Sequence, residues 1–136
     1  MSAPHILLIE DDPMEADLAI RTLKKFLPEL LVTHLENGVA LSDYLANEPD
    51  EHIRLAIMDL HMPGMGGLDF LESIRVRTSP LGFPVVIFSS SEDRDEITRA
   101  YVLGASGFVT KPVVFSDYRT AIEHMLNFWL LTNRLT

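Results

Sequence analysis

Five short apolar runs punctuate the sequence, and each gives way to polar residues or a turn before an amphipathic segment begins. They are His5-Ile6-Leu7-Leu8-Ile9, Leu30 to Leu35, Ile53 to Met58, Pro84 to Phe88, and Gly107 to Thr110. Continuous hydrophobicity, rather than alternation, means burial on both faces, which is the habit of strands in a parallel sheet covered by helices. The segments between the runs repeat apolar residues at helical spacing, as in Ala16, Ala19, Ile20, Leu23, Phe26 and Leu27. Strand and helix therefore alternate along the whole chain, and the fold class is α/β.

Local signals predict where the helices begin and end. Asp12 fits an N-cap, Pro13 a first helical position and Glu15 a first turn, with Pro28 closing the helix that Met14 opens. Asn37 starts a second helix over Val39 to Ala46. A third covers Leu68 to Arg77, with Leu68, Leu71 and Ile74 inward and Phe70 to one side. A fourth runs from Glu92 to Leu103, with Ser90 and Asp93 spaced as a capping box and a stripe of Ile97, Ala100, Tyr101 and Gly104. The last helix runs from Ser116 to about Leu131. The expected strand order is 2-1-3-4-5, the flavodoxin-like doubly wound arrangement. At 136 residues the chain forms one domain with a full core.

Right-handed crossovers bring all strand C-termini to one edge, where open α/β sheets bind ligands. Strand one brings Glu10, Asp11 and Asp12 there. Strand three brings Asp59, strand four Ser89 and Ser90, and strand five Lys111. Clustered acids repel unless a cation sits among them, and hard oxygen ligands favour Mg²⁺. A carboxylate, a divalent metal, a lysine and a hydroxyl are the parts that hold a phosphoryl group in line with an attacking oxygen. Asp59 is then a nucleophile that forms an acyl phosphate.

The chain resembles the receiver domain of two-component response regulators, the family of the chemotaxis protein CheY. Glu10-Asp11 carries the resemblance, with the loop from Asp59 through Pro63 to Gly67, Ser89-Ser90, and Gly104 to Pro112. The resemblance implies that residues 1–136 are a single receiver with no output domain, a phosphoacceptor rather than an enzyme acting on an outside substrate. It implies that Asp59 accepts phosphate from a histidine kinase or phosphotransfer protein. Asp11 and Asp59 bind Mg²⁺ directly, the backbone carbonyl of His61 assists, and Glu10 acts through water. Ser89 and Lys111 contact the phosphoryl group, and Ser90 offers its backbone N–H. Ser89 and Phe108 form the switch, which moves the strand-four, helix-four and strand-five face. The Lys111–Pro112 peptide is expected to be cis. His61 and Ser91 stand at positions that tune the lifetime of the phosphoryl group.

Rival chemistries fit less well. A haloacid-dehalogenase-type phosphatase needs a second aspartate two residues after its nucleophile, where this chain has His61. A flavin mononucleotide carrier would not place Glu10-Asp11-Asp12 against a phosphate. A degenerate, binding-only receiver would not keep the acids, Ser89 and Lys111. The net charge of −9 argues against nucleic acid as a partner. No apolar stretch is long enough to span a bilayer, no secretory signal is visible and there is no cysteine, so a cytoplasmic protein without a membrane anchor is expected. In the last helix Tyr118, Ala121, Ile122, Met125 and Trp129 suffice for docking. Leu126, Phe128, Leu130 and Leu131 then leave extra apolar surface. The ending resembles that of phytochrome-associated single-domain regulators. A homodimer through helix four, strand five and helix five, and a phytochrome-type kinase as donor, are the corresponding expectations.

Overall fold

The computed structural model describes residues 3–47, 52–75 and 82–132. Five strands alternate with five helices: β1 (His5–Ile9), α1 (Pro13–Phe26), β2 (Leu31–Leu35), α2 (Gly38–Ala46), β3 (Ile53–Met58), α3 (Gly67–Arg75), β4 (Val85–Ser89), α4 (Arg94–Val102), β5 (Gly107–Thr110) and α5 (Phe115–Leu126). A π-helical turn, Asn127–Thr132, continues α5. The strands are all parallel and lie in the order β2-β1-β3-β4-β5, as expected. Residues 76 and 77, where the third helix was expected to end, lie outside the described part.

Successive strand residues point to opposite faces, so each apolar run feeds two cores. On one face Ile6, Leu8, Leu55, Ile57, Val86 and Phe88 pack against α1 and α5. On the other, Leu7, Ile9, Ala56, Met58 and Ile87 pack against α2, α3 and α4. Asp12 caps α1 by accepting from the N–H groups of Met14 (2.8 Å) and Glu15 (3.3 Å). Asn37 caps α2 through the N–H of Ala40 at 2.9 Å. No helix among the described residues is long and apolar enough to cross a membrane.

Four helix details differ from the sequence expectation. Phe70, expected to one side, is fully buried in the same core as Leu71. The cap of α4 is Asp93, which accepts from the N–H of Asp95, and Ser90 plays no part in it. The Ser91 hydroxyl takes the N–H of Asp93 instead. On α4 Tyr101 is half exposed while Leu103 is buried, and Gly104 (φ +106°) ends the helix in a left-handed turn rather than extending its apolar stripe. In the tail, Leu126 and Leu130 are buried in the α1–α5 core, whereas Phe128 and Leu131 stay outside. The π turn has more residues per revolution than an α-helix, so spacing of 3.6 misassigns which of its residues face inward. The turn is held from β3, where Arg54 Nη2 donates to the Leu130 carbonyl at 2.9 Å.

Candidate functional site

The carboxyl edge of the sheet gathers the residues expected there. Asp59 follows β3 directly, and its N–H donates to the Ile9 carbonyl (3.0 Å), which locks it beside β1. Its Oδ1 accepts from the N–H of Leu60 at 2.8 Å. The loop beyond folds back tightly, with the N–H of Gly67 on the Leu60 carbonyl at 2.9 Å. A Cβ at Gly67 would lie 2.8 Å from the Asp59 carbonyl oxygen, so only glycine permits this return.

Glu10 is buried and fully engaged. Its Oε2 accepts from the N–H of Asp12 at 3.1 Å, and its Oε1 accepts from Lys111 Nζ at 2.9 Å. The ring of His34 bonds its backbone carbonyl at 2.7 Å. Carboxylate oxygens of Glu10, Asp11 and Asp59 all lie within 4.8 Å of one another. Such a trio of hard oxygen donors suits a divalent cation. Asp12 is not in the trio, because it spends its side chain on the α1 cap.

Lys111 enters from the end of β5. Its backbone N–H donates to the Ser89 carbonyl at 2.8 Å, extending the β4–β5 ladder by one step. Its ammonium donates to Glu10 and to Glu15, both at 2.9 Å, and stands 3.9 Å from Asp59 Oδ2. Ser89 is buried at the end of β4, with its hydroxyl accepting the N–H of Ser91 at 3.3 Å. Ser90 is exposed just past the strand, and Phe108 is half buried against the α2–α4 core. The Lys111–Pro112 peptide, expected to be cis, is trans, because the described chain contains no cis bond. Trans is the form that an X–Pro amide favours by about 0.5–1 kcal/mol.

Electrostatics follow from burial. Burial raises the Asp59 carboxyl above its ordinary range, against the opposing pull of the Lys111 charge, the Leu60 N–H and the Ser89 hydroxyl. Burial raises Glu10 as well, against its bonds to Lys111 and Asp12. Burial alone would lower Lys111, but its bonds to Glu10 and Glu15 and the charge of Asp59 outweigh that and hold it raised. One ammonium thus serves several acids, and its pull does not offset the burial of Asp59 and Glu10.

The response regulator receiver domain family matches residues 6–123. The chain belongs to this family. As such it is a receiver of two-component signal transduction. The two-component response regulator ARR17 of Arabidopsis thaliana is 31% identical over 132 residues, covering 90% of this chain and 85% of that protein. The crystal structure of the phosphorylated cyanobacterial phytochrome response regulator RcpA superposes with a TM-score of 0.88 at 26% identity, covering 98% of each chain. The bacteriophytochrome response regulator AtBRR superposes with a TM-score of 0.73 at 31% identity, over 98% of this receiver and all of that chain.

Two acids beside the receiver's site were not singled out from sequence. Glu15 reads there only as a first-turn helix acid, yet it holds Lys111. Glu96, on α4, accepts from the Ser91 hydroxyl and meets the exposed His61 ring at 3.1 Å, bridging the loops after β3 and β4. A carboxylate one helical turn past a loop known to carry a site is the signal that finds both.

Proposed function

We propose that this receiver takes a phosphoryl group onto Asp59 and changes its partner affinity in response. The observation that carries the reading is the Asp59 carboxylate itself. It is largely buried, placed with Glu10 and Asp11, and faced by Lys111 at 3.9 Å. In the transfer an Asp59 carboxylate oxygen bonds to phosphorus. The bond from phosphorus to the donor breaks, and its electron pair leaves with the donor, a phosphohistidine of a histidine kinase or phosphotransfer protein. Asp11 and Asp59 would hold Mg²⁺ directly, Glu10 would act through water, and the backbone carbonyl of His61 would assist. When bound, the cation neutralises charge that builds up on the phosphoryl oxygens. Lys111 pairs with one of those oxygens, the Ser89 hydroxyl donates to another, and the backbone N–H of Ser90 supports them.

The product is a dianion beside a buried serine and a lysine. Drawing Ser89 and Lys111 inward displaces the ends of β4 and β5, and half-buried Phe108 is placed to follow. The surface altered is that of α4 and β5, where Tyr101 and Val102 are exposed. No outside substrate is turned over; formation and hydrolysis of the acyl phosphate are the protein's own chemistry. The similarity to RcpA and AtBRR supports a phytochrome-type kinase as donor. The reading carries a cytoplasmic location with it. Exposed Phe128 and Leu131 extend the apolar surface for a homodimer through α4, β5 and α5. Light scattering at micromolar concentration is expected to give the dimer mass, and a clean monomer removes that part of the proposal.

Incubation with Mg²⁺ and acetyl phosphate is expected to add one phosphoryl group, read by intact mass, and Asp59→Asn to take none. Equal labelling of both proteins overturns the assignment.

A further inference from the structure

Lys111 is the one lysine at the site, and in this structure its ammonium is already committed. Two of its three N–H donors go to Glu10 and Glu15, each at 2.9 Å, while the acceptor Asp59 lies at 3.9 Å, beyond hydrogen-bond reach. The two partners are not equivalent. The Glu10 side chain is 6% exposed and is also pinned by the N–H of Asp12. The Glu15 side chain is 49% exposed, stands in the first turn of α1, and makes no other hydrogen bond among the described residues. Removing the bond to Glu10 would strand a buried carboxylate, whereas Glu15 can turn into water at little cost. Of the two, Glu15 is the partner that Lys111 can give up.

We infer that Glu15 is a positioning residue that parks Lys111 in the unphosphorylated receiver and competes with the phosphoryl group for its ammonium. The inference rests on Asp59 being the phosphoryl acceptor. When an anion with several oxygens is mounted on Asp59, Lys111 exchanges Glu15 for one of those oxygens and keeps Glu10. The exchange also unties the first turn of α1 from the end of β5, since Lys111 is the link between them. Glu15 thereby sets a threshold: part of the attraction between Lys111 and the phosphoryl group is spent on displacing it.

The test uses beryllofluoride with Mg²⁺, a phosphoryl mimic that needs no kinase, titrated against the full chain and read from bound fluorine resonances. Glu15→Gln is expected to bind roughly two- to fivefold more tightly than wild type, the scale of a half-exposed ion pair. Glu15→Asp keeps the charge but falls short of Nζ by one methylene, and is expected to tighten binding as well. Asp17→Asn removes the same charge from an exposed, ion-paired position on the same helix and is expected to leave binding unchanged. Urea midpoints of all three are measured alongside, so that a loss of folding is not read as a change in affinity. Unchanged or weaker binding by Glu15→Gln overturns the inference while leaving Asp59 as acceptor. Equal tightening by Asp17→Asn overturns it in favour of a general field effect. A wild type that binds no beryllofluoride removes both the inference and the acceptor role beneath it.

Discussion

Asp59→Asn keeps the shape of the acceptor and deletes its charge, and it is expected to make the metal-free protein more stable. The Asp59 carboxylate lies within 4.8 Å of those of Glu10 and Asp11. At an effective dielectric of ~20, each repulsion is about 3.5 kcal/mol. The attraction to Lys111, at 3.9 Å, returns about 4 kcal/mol on the same scale. The balance is roughly 3 kcal/mol against the ionised group, before its burial is counted. Solvent reaching half-exposed Asp11 screens part of this, so the net gain on substitution is about 1–2 kcal/mol. The Leu60 N–H keeps an acceptor, because the amide oxygen of asparagine replaces Oδ1. For a chain of this length that gain corresponds to a melting temperature higher by about 3–8 °C.

The assay is thermal unfolding by circular dichroism in EDTA, from neutral pH downward. Asp59 is raised in the folded protein, so its ionised form costs stability. That cost is complete above its folded pKa. It shrinks as pH falls through that value and is gone below the ordinary aspartate value of 3.8. The advantage of Asp59→Asn is expected to follow the same course. Saturating Mg²⁺ is expected to narrow or reverse the gap, since a ligand at 100 times its Kd adds about 2.7 kcal/mol to the protein that binds it. A variant that melts at or below wild type in EDTA at neutral pH refutes the electrostatic account of the site.

Two further substitutions test its supports. Gly67→Ala drives a Cβ to 2.8 Å from the Asp59 carbonyl; a loss of about 1–3 kcal/mol in urea unfolding is expected, with slower labelling by acetyl phosphate. Arg54→Ala leaves the Leu130 carbonyl without its donor; a loss of about 1–3 kcal/mol is expected, with red-shifted emission from Trp129, the only tryptophan in the chain.

The sheet was legible because each strand is a short, mostly apolar run. The inner strands β1, β3 and β4 are largely buried on both faces, while the edge strands β2 and β5 are only partly covered. The bounds of β1, β3 and β5 coincide with those read from the sequence. The convergence on Asp59 was legible for the same reason, since strand direction alone sends Glu10, Ser89 and Lys111 to one edge. Less visible were features decided by competition among near-equal local options. Ser90, Ser91 and Asp93 are all good caps for α4, and only the packed position of the helix selects Asp93. In the tail a π turn changes the angular spacing, so Leu130 enters the core and Phe128 does not. The partners of Lys111 depend on side-chain reach across α1, which spacing does not encode.

The bond from the Lys111 N–H to the Ser89 carbonyl has a genetic consequence. It joins the two positions through main chain, so displacing one without the other breaks a ladder hydrogen bond. Substitutions that shift the end of β4 move the lysine too, and combined changes at Ser89 and along β5 will not add. Second-site suppressors of a damaged Ser89 belong in β5, on the strand that shares its ladder.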